Sequence, residues 1–177
     1  MTKHNFALQA FQKQHHDIKL SGQYEFIGRE IHISYDWQDP NAAICWPGSC
    51  QLAEIQDELW QQTFCEIFIA RAAAHEYWEY NFSPAGHWNC YRFKDYRASR
   101  QSRTQGLSTE IIAVIKKNLA KIKIKTNLPA SVEVSDLSLN ICAIAKTQED
   151  TIHFALRHHG DKPDFHLRTN FELLKYK

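Results

Sequence analysis

The chain has 177 residues, 44% hydrophobic and 23% charged, a globular balance in which an aromatic share of 12% predicts a well-filled core and excludes a disordered chain. Its formal net charge is +1, from 21 Lys and Arg against 20 Asp and Glu, so no overall field draws it to nucleic-acid backbones or anionic membrane. No polar or Pro/Gly/Ser-rich linker divides it, and residues 1–177 read as one domain.

The opening Met1-Thr-Lys-His-Asn-Phe-Ala-Leu8 has no apolar h-region or small-residue cleavage site, and no apolar run reaches the length of a membrane span. The five cysteines, Cys45, Cys50, Cys65, Cys90 and Cys142, are odd in number and scattered, which suits reduced thiols better than a disulfide framework. A cytoplasmic location is expected. Asn81-Phe82-Ser83 matches a glycosylation acceptor, but Pro84 follows it and no secretory signal accompanies it.

Along the chain, β-branched and aromatic residues recur in short stretches broken by turn residues at intervals of roughly ten. Strands are predicted over Asp17 to Ile27, Glu30 to Tyr35, Ala43 to Trp46, Phe64 to Ala70, Tyr77 to Ser83, Trp88 to Phe93, Ser108 to Ile115, Ala120 to Lys125, Leu137 to Ala145 and Thr151 to Leu156. Gly28-Arg29, Asp39-Pro40-Asn41, Pro84-Ala85-Gly86, Leu128-Pro129 and Lys146 to Asp150 mark breaks between them. Gln51 to Trp60 has the composition of a short helix, and Glu110 to Asn118 has both helical and strand credentials. With many strands and no long amphipathic helix, each sheet must bury a face against another, so an all-β, two-sheet antiparallel β-sandwich is expected. The basic run Lys116, Lys117, Lys121, Lys123 and Lys125 alternates with Ile115, Leu119, Ile122 and Ile124 and reads as a solvated face.

The region from Asp57 to Tyr96 carries the chemistry. Sorted by the two-residue period of a strand, Cys65, Ile67 and Ile69 form one side and Phe64, Glu66 and Phe68 the other. Trp78, Tyr80 and Phe82 likewise oppose Tyr77, Glu79 and Asn81, and Tyr91 and Phe93 oppose Trp88, Cys90 and Arg92. If these strands are neighbours, Glu66, Glu79, Asn81 and Arg92 converge on a face flanked by Phe64, Tyr77 and Trp88. Flat rings beside carboxylate, amide and guanidinium groups suit a sugar, whose C–H faces stack while its hydroxyls take directional hydrogen bonds. A solvated or self-paired polar face would produce the same letters.

Asp57-Glu58-Leu59-Trp60 through Cys65-Glu66-Ile67-Phe68-Ile69, followed by Tyr77-Trp78-Glu79-Tyr80-Asn81-Phe82-Ser83-Pro84-Ala85-Gly86-His87-Trp88, resembles the signature of DOMON-like domains and the related family-nine carbohydrate-binding modules. Ile31 to Pro47 resembles the early strand pair of that group, and His153 to His166 its closing segment. The resemblance implies an immunoglobulin-like β-sandwich that holds a sugar or a haem against one sheet, and modules of this kind bind without cleaving. The haem-binding branch uses methionine with a second axial ligand such as histidine, and the one methionine here is Met1. No cofactor is therefore expected, with haem as the alternative through two of the ten histidines.

Other constellations point less far. His153, His158, His159 and His166, with Asp161 and Asp164, match no standard metal spacing and read as a polar loop pinning the last part of the chain. Cys45 and Cys50 lack a second pair at zinc-ribbon spacing. No Gly-x-Ser-x-Gly, phosphate loop or dinucleotide fingerprint occurs, so an enzyme is not expected, although Glu66 and Glu79 have the residue type of a glycosidase pair. Arg97-Ala-Ser-Arg-Gln-Ser-Arg103 reads as a polar loop that can border the ligand face, and near-neutral charge argues against single-stranded nucleic acid there. The reading is a non-catalytic module for a sugar-like metabolite, with Trp60 and Trp88 stacking and Glu66, Glu79, Asn81 and Arg92 as polar contacts. No metal, nucleic acid or membrane is expected, and a homodimer is allowed. The alternatives are a haem-binding domain and an interaction or structural sandwich with no small ligand.

Overall fold

The computed structural model describes residues 3–12, 16–50, 52–132 and 136–174. Its strands are β1 (His4–Ala10), β2 (Lys19–Ile27), β3 (Glu30–Gln38), β4 (Phe64–Arg71), β5 (Tyr77–Phe82), β6 (Trp88–Phe93), β7 (Gln101–Ser102), β8 (Thr109–Ile115), β9 (Leu119–Asn127), β10 (Leu137–Lys146), β11 (Thr151–Ala155) and β12 (Glu172–Leu173). The only helical turns among the described residues are 3-10 segments at Leu59–Gln61 and Arg168–Asn170. The chain is all-β and its paired strands run antiparallel.

Where two separate sheets are expected from the sequence, one continuous sheet is found. Its order is β7-β6-β5-β4-β10-β11-β1-β2-β3-β9-β8, with β12 on β10. The seam is narrow, because β1 meets β11 through Gln9↔Ala155 and Ala10↔Phe154 only, while β1 meets β2 along five pairs. At that seam the sheet curls so that the inner faces of both halves bury one apolar cluster. Ile31, Ile33, Tyr35 and Trp37 of β3 and Ile122 and Ile124 of β9 enter it from one half, and Ile67, Tyr80, Cys90 and Ile141 from the other. Tyr35 donates its hydroxyl across the core to the Glu66 carbonyl at 2.9 Å, and Tyr80 donates to that of Asn127 at 3.1 Å.

The strand alternation predicts which face of the β2-β3-β9 half is wet. Lys121 and Lys125 point outward and pair with Asp36 at 2.7 Å and Glu30 at 3.3 Å, so the basic run is a solvated sheet face. The segment from Glu110 is a strand, its helical credentials overridden by the seven-residue register with β9. Ala43 to Trp46 is not a strand. The Asp39 carboxylate there accepts the amides of Ala43 at 3.0 Å and Ile44 at 2.9 Å, turning the chain before it can pair. Of the helix predicted from Gln51 to Trp60, Gln51 lies outside the described residues and the rest yields only the Leu59–Gln61 turn, entered through Glu58 at φ 62°.

Candidate functional site

In the other half of the sheet, β4, β5 and most of β6 and β10 are buried on both faces. One face belongs to the shared core. The second carries its own apolar cluster, in which Phe64, Phe68, Tyr77, Tyr91, Phe93 and Ile144 stand on strands and Leu59, Phe165 and Phe171 come from the segments that cover them. The covers are the connection 57–62, the connection 94–100 and the closing segment 156–171. Between them a cleft of about 450 Å³ opens onto the sheet.

Glu66 and Glu79 lie on its floor. The register sets Glu66 opposite Asn81 and Phe68 opposite Glu79, so the two carboxyls are diagonal neighbours on one face. They are 4% and 6% exposed. Burial, and then the neighbouring Glu79, push Glu66 well above the usual carboxylate range, with Arg97 pulling the other way. Burial likewise raises Glu79 to about 7, against the hydrogen bond from Asn81 and the fields of Arg100 and Arg97. Asn81 Nδ2 donates to Glu79 Oε1 at 2.8 Å and so orients that group from beside it.

His166 closes the floor from the other side. Its Nε2 lies 3.7 Å from Glu79 Oε2, and its Nδ1 is 2.7 Å from the Tyr77 hydroxyl, which also accepts the Arg97 amide at 3.0 Å. Burial, and then the Arg97 guanidinium, hold the imidazole down at about 4, with Asp164 opposing. The ring is therefore neutral, and its approach to Glu79 is not an ion pair. A Tyr77 hydroxyl that accepts from Arg97 and donates to Nδ1 leaves the ring proton on Nε2, facing the carboxyl. The ring is wedged between Phe68 and Phe93, at 5.0 and 5.1 Å between centroids.

The rim is aromatic and cationic. Trp60 lines the mouth, and the Arg100 guanidinium sits between the rings of Trp60 at 5.2 Å and Tyr91 at 5.0 Å. Arg97 has a left-handed backbone, φ 52°, and Nη2 donates to Asp164 Oδ1 at 2.9 Å. Asp164 also accepts the Tyr96 hydroxyl and the His166 amide. Burial works against the ionised Asp164, but these donors, led by Tyr96 and Arg97, hold its carboxyl below the usual range. Behind the rim, Asp57 accepts Tyr91 Oη at 2.5 Å and Asn89 Nδ2 at 3.0 Å.

The structure thus brings Trp60, Glu66 and Glu79 to one cleft and sets Asn81 directly behind Glu79. It separates Trp88 and Arg92 from them, which corrects the expected convergence. Phe82 pairs with Trp88 across residues 83–87, so Glu79 falls opposite Tyr91 and Asn81 opposite Asn89. Trp88 and Arg92 consequently occupy the other face of β6. Trp88 is 7% exposed within the shared core, and Arg92 lies over Trp78 and pairs with Glu76. Phe93, His153, Phe165 and His166 also line the cleft, as does Arg100, which stands on the Arg97 to Arg103 loop expected to border the ligand face. The Asp164-Phe165-His166 run, expected to pin the last part of the chain, is the sequence signal for the closing wall.

Among the described residues no group of three or more His, Cys, Asp or Glu side chains is placed to hold a metal ion. Haem ligation needs a free imidazole nitrogen in the cleft. His166 does not fit that role, since its Nδ1 is engaged by Tyr77 and its Nε2 faces Glu79.

The cleft, with its polar floor and aromatic rim, lies on the outer face of a curled antiparallel sheet, and solved structures share that fold. The chain superposes on a candidate carbohydrate-binding protein from Bacteroides uniformis with a TM-score of 0.73 at 13% identity, over 96% of this chain and 84% of that one. It also superposes on a family-nine carbohydrate-binding module from Caldicellulosiruptor kristjanssonii, in complex with cellotriose at TM-score 0.53 and with glucose at 0.51. Both pairs share 7% identity, and the matches cover 86% and 83% of this chain and 72% and 70% of the module. The relation to family-nine modules is one of fold. No protein-family model matches the sequence, and no curated protein matches it.

Proposed function

We propose that this chain is a non-catalytic carbohydrate-binding module that holds a sugar in the cleft above β4, β5 and β6. The observation that carries the reading is the cleft itself, in which Trp60 offers a flat apolar wall over the buried polar groups Glu66 and Glu79. Trp60 stacks on a sugar face, Glu66 and Glu79 exchange hydrogen bonds with hydroxyls, and Asn81 positions Glu79. Trp88 and Arg92 leave the proposed set because they occupy the face of β6 opposite the cleft. The fold shared with modules solved with cellotriose and glucose supports the ligand class. The same reading takes the curled sheet as an immunoglobulin-like sandwich forming one module, working in a reducing, cytoplasmic setting that suits its five free thiols.

Titration calorimetry against neutral and acidic mono- and oligosaccharides tests it, with reducing-sugar release followed on the same samples. At least one saccharide is expected to bind, Trp60→Ala to weaken it by about tenfold, and no reducing sugar to appear. Binding by none of the panel overturns the carbohydrate reading, and release of reducing sugar overturns its non-catalytic part.

A further inference from the structure

Resting on the carbohydrate reading, we infer that the saccharide of this cleft carries an anionic group, a carboxylate or a phosphate, at the end that lies against Arg97 and Arg100. The charges of the cleft are layered. Its only acidic lining residues among those described, Glu66 and Glu79, are on the floor and nearly closed to solvent, whereas both guanidinium groups stand at the mouth on one connection. Arg97 is committed to Asp164, yet its side chain is half exposed and keeps donors free for a ligand. Arg100 pairs with no carboxylate among the described residues; Trp60 and Tyr91 hold it from two sides instead. A planar guanidinium fixed between rings has already lost much of the rotamer freedom that a flexible cation gives up on binding, and it presents a fork suited to carboxylate or phosphate. Burial raises both floor carboxyls above the usual carboxylate range, which lessens their opposition to this rim. A neutral sugar would use the floor and the Trp60 wall and leave the rim unused.

Calorimetry on the full chain compares glucose and galactose with glucuronate, galacturonate and glucose 6-phosphate. At least one acidic sugar is expected to bind about tenfold tighter than its neutral parent. The uronates and the phosphate distinguish the two sources of charge. Raising salt from about 0.02 M to about 0.5 M should narrow that ratio, because it shortens the Debye length. Arg100→Gln should bring the ratio close to one, and Arg100→Lys should restore part of it. Neutral and acidic sugars binding equally overturns the inference while the carbohydrate reading stands; binding by neither overturns both.

A separate observation concerns the far edge of the sheet. β8 pairs with β9 on one side only, and its outward residues Glu110, Ile112 and Val114 are followed by Lys116. Ile112 and Val114 are 52% and 54% exposed, and native edges of this kind are usually protected by charge or covered. The geometry points to a second copy of this chain as the cover, with β8 pairing antiparallel to itself about a twofold axis at Ala113. In that register Glu110 lies opposite the partner's Lys116 and Ile112 opposite the partner's Val114, twice over. Read forward, the segment presents acid, aliphatic, aliphatic, base, and read backward the reverse, so two antiparallel copies are complementary. Neither Glu110 nor Lys116 has an ion-pair partner among the described residues, so both charges are free for this use.

Sedimentation equilibrium should show a dimer at about 0.1 mM protein, consistent with a small edge interface. Glu110→Lys sets like charges opposite each other at both ends and should weaken the dimer by about tenfold or more, and the double variant E110K/K116E should recover it. A monomer at that concentration, or a dimer indifferent to the single charge reversal, overturns the interface.

Discussion

Glu79 and His166 face each other across 3.7 Å and push the pH dependence of stability in opposite directions. A carboxyl whose pKa is higher folded than unfolded takes up a proton on folding, so Glu79 costs stability as pH rises from 4.5 through about 7. An imidazole whose pKa is lower folded than unfolded releases one, so His166 costs stability as pH falls from 6.5 through about 4. Between 4.5 and 6.5 the two slopes oppose each other. Glu79→Gln removes only the first, and the amide oxygen it introduces still accepts the Asn81 side-chain N–H. Glu66, raised chiefly by burial, still titrates in the variant, so the difference from the parent isolates the Glu79 proton. The variant should exceed the parent by roughly 3 kcal/mol at pH 8 and match it near pH 4. Urea midpoints at pH 4, 6 and 8 check this. An equal difference at all three would show that Glu79 acts through packing and not through its proton.

At the scale of the element, legibility depended on whether a signal was local. The alternation of β5 sorts Trp78, Tyr80 and Phe82 from Tyr77, Glu79 and Asn81 correctly, because a period of two is a property of five or six adjacent residues. The same holds within β6. Joining the two strands failed, since which parity of β6 meets Glu79 is set by the 83–87 connection, where Ser83 binds His87 and a one-residue difference flips every side chain. β1 went unseen because its buried residues are only Phe6 and Leu8, no residue is β-branched, and the rest is His, Asn, Gln and two Ala. The closing segment was legible as polar punctuation but not as a wall of the cleft. Its roles rest on contacts across the whole fold, from His166 to Tyr77, Asp164 to Tyr96 and Asn140 to the Phe165 carbonyl. No window of sequence contains such pairs.

The whole molecule depends on one sheet closing over itself, and the glycine with the least room for a side chain is Gly22 in β2, inside one half of that sheet. It pairs with Phe6 on one side and Tyr35 on the other, where β1 and β3 converge on the shared core. A Cβ at Gly22 would stand 1.9 Å from the Ser34 carbonyl oxygen and 2.5 Å from the Phe6 ring. The ring could turn, but Ser34 O belongs to the backbone of β3, and moving it breaks the register that carries Tyr35 to its bond with Glu66. Overpacking against a fixed backbone costs about 3 kcal/mol, so Gly22→Ala should lower Tm by roughly 6–12 °C. The cleft is built on β4, β5 and β6 in the other half, so the folded fraction should keep its ligand affinity. A melt within about 2 °C of the parent would mean that β2 and β3 relax apart cheaply, and that the curl is held instead by the Tyr35 and Tyr80 ties across the core.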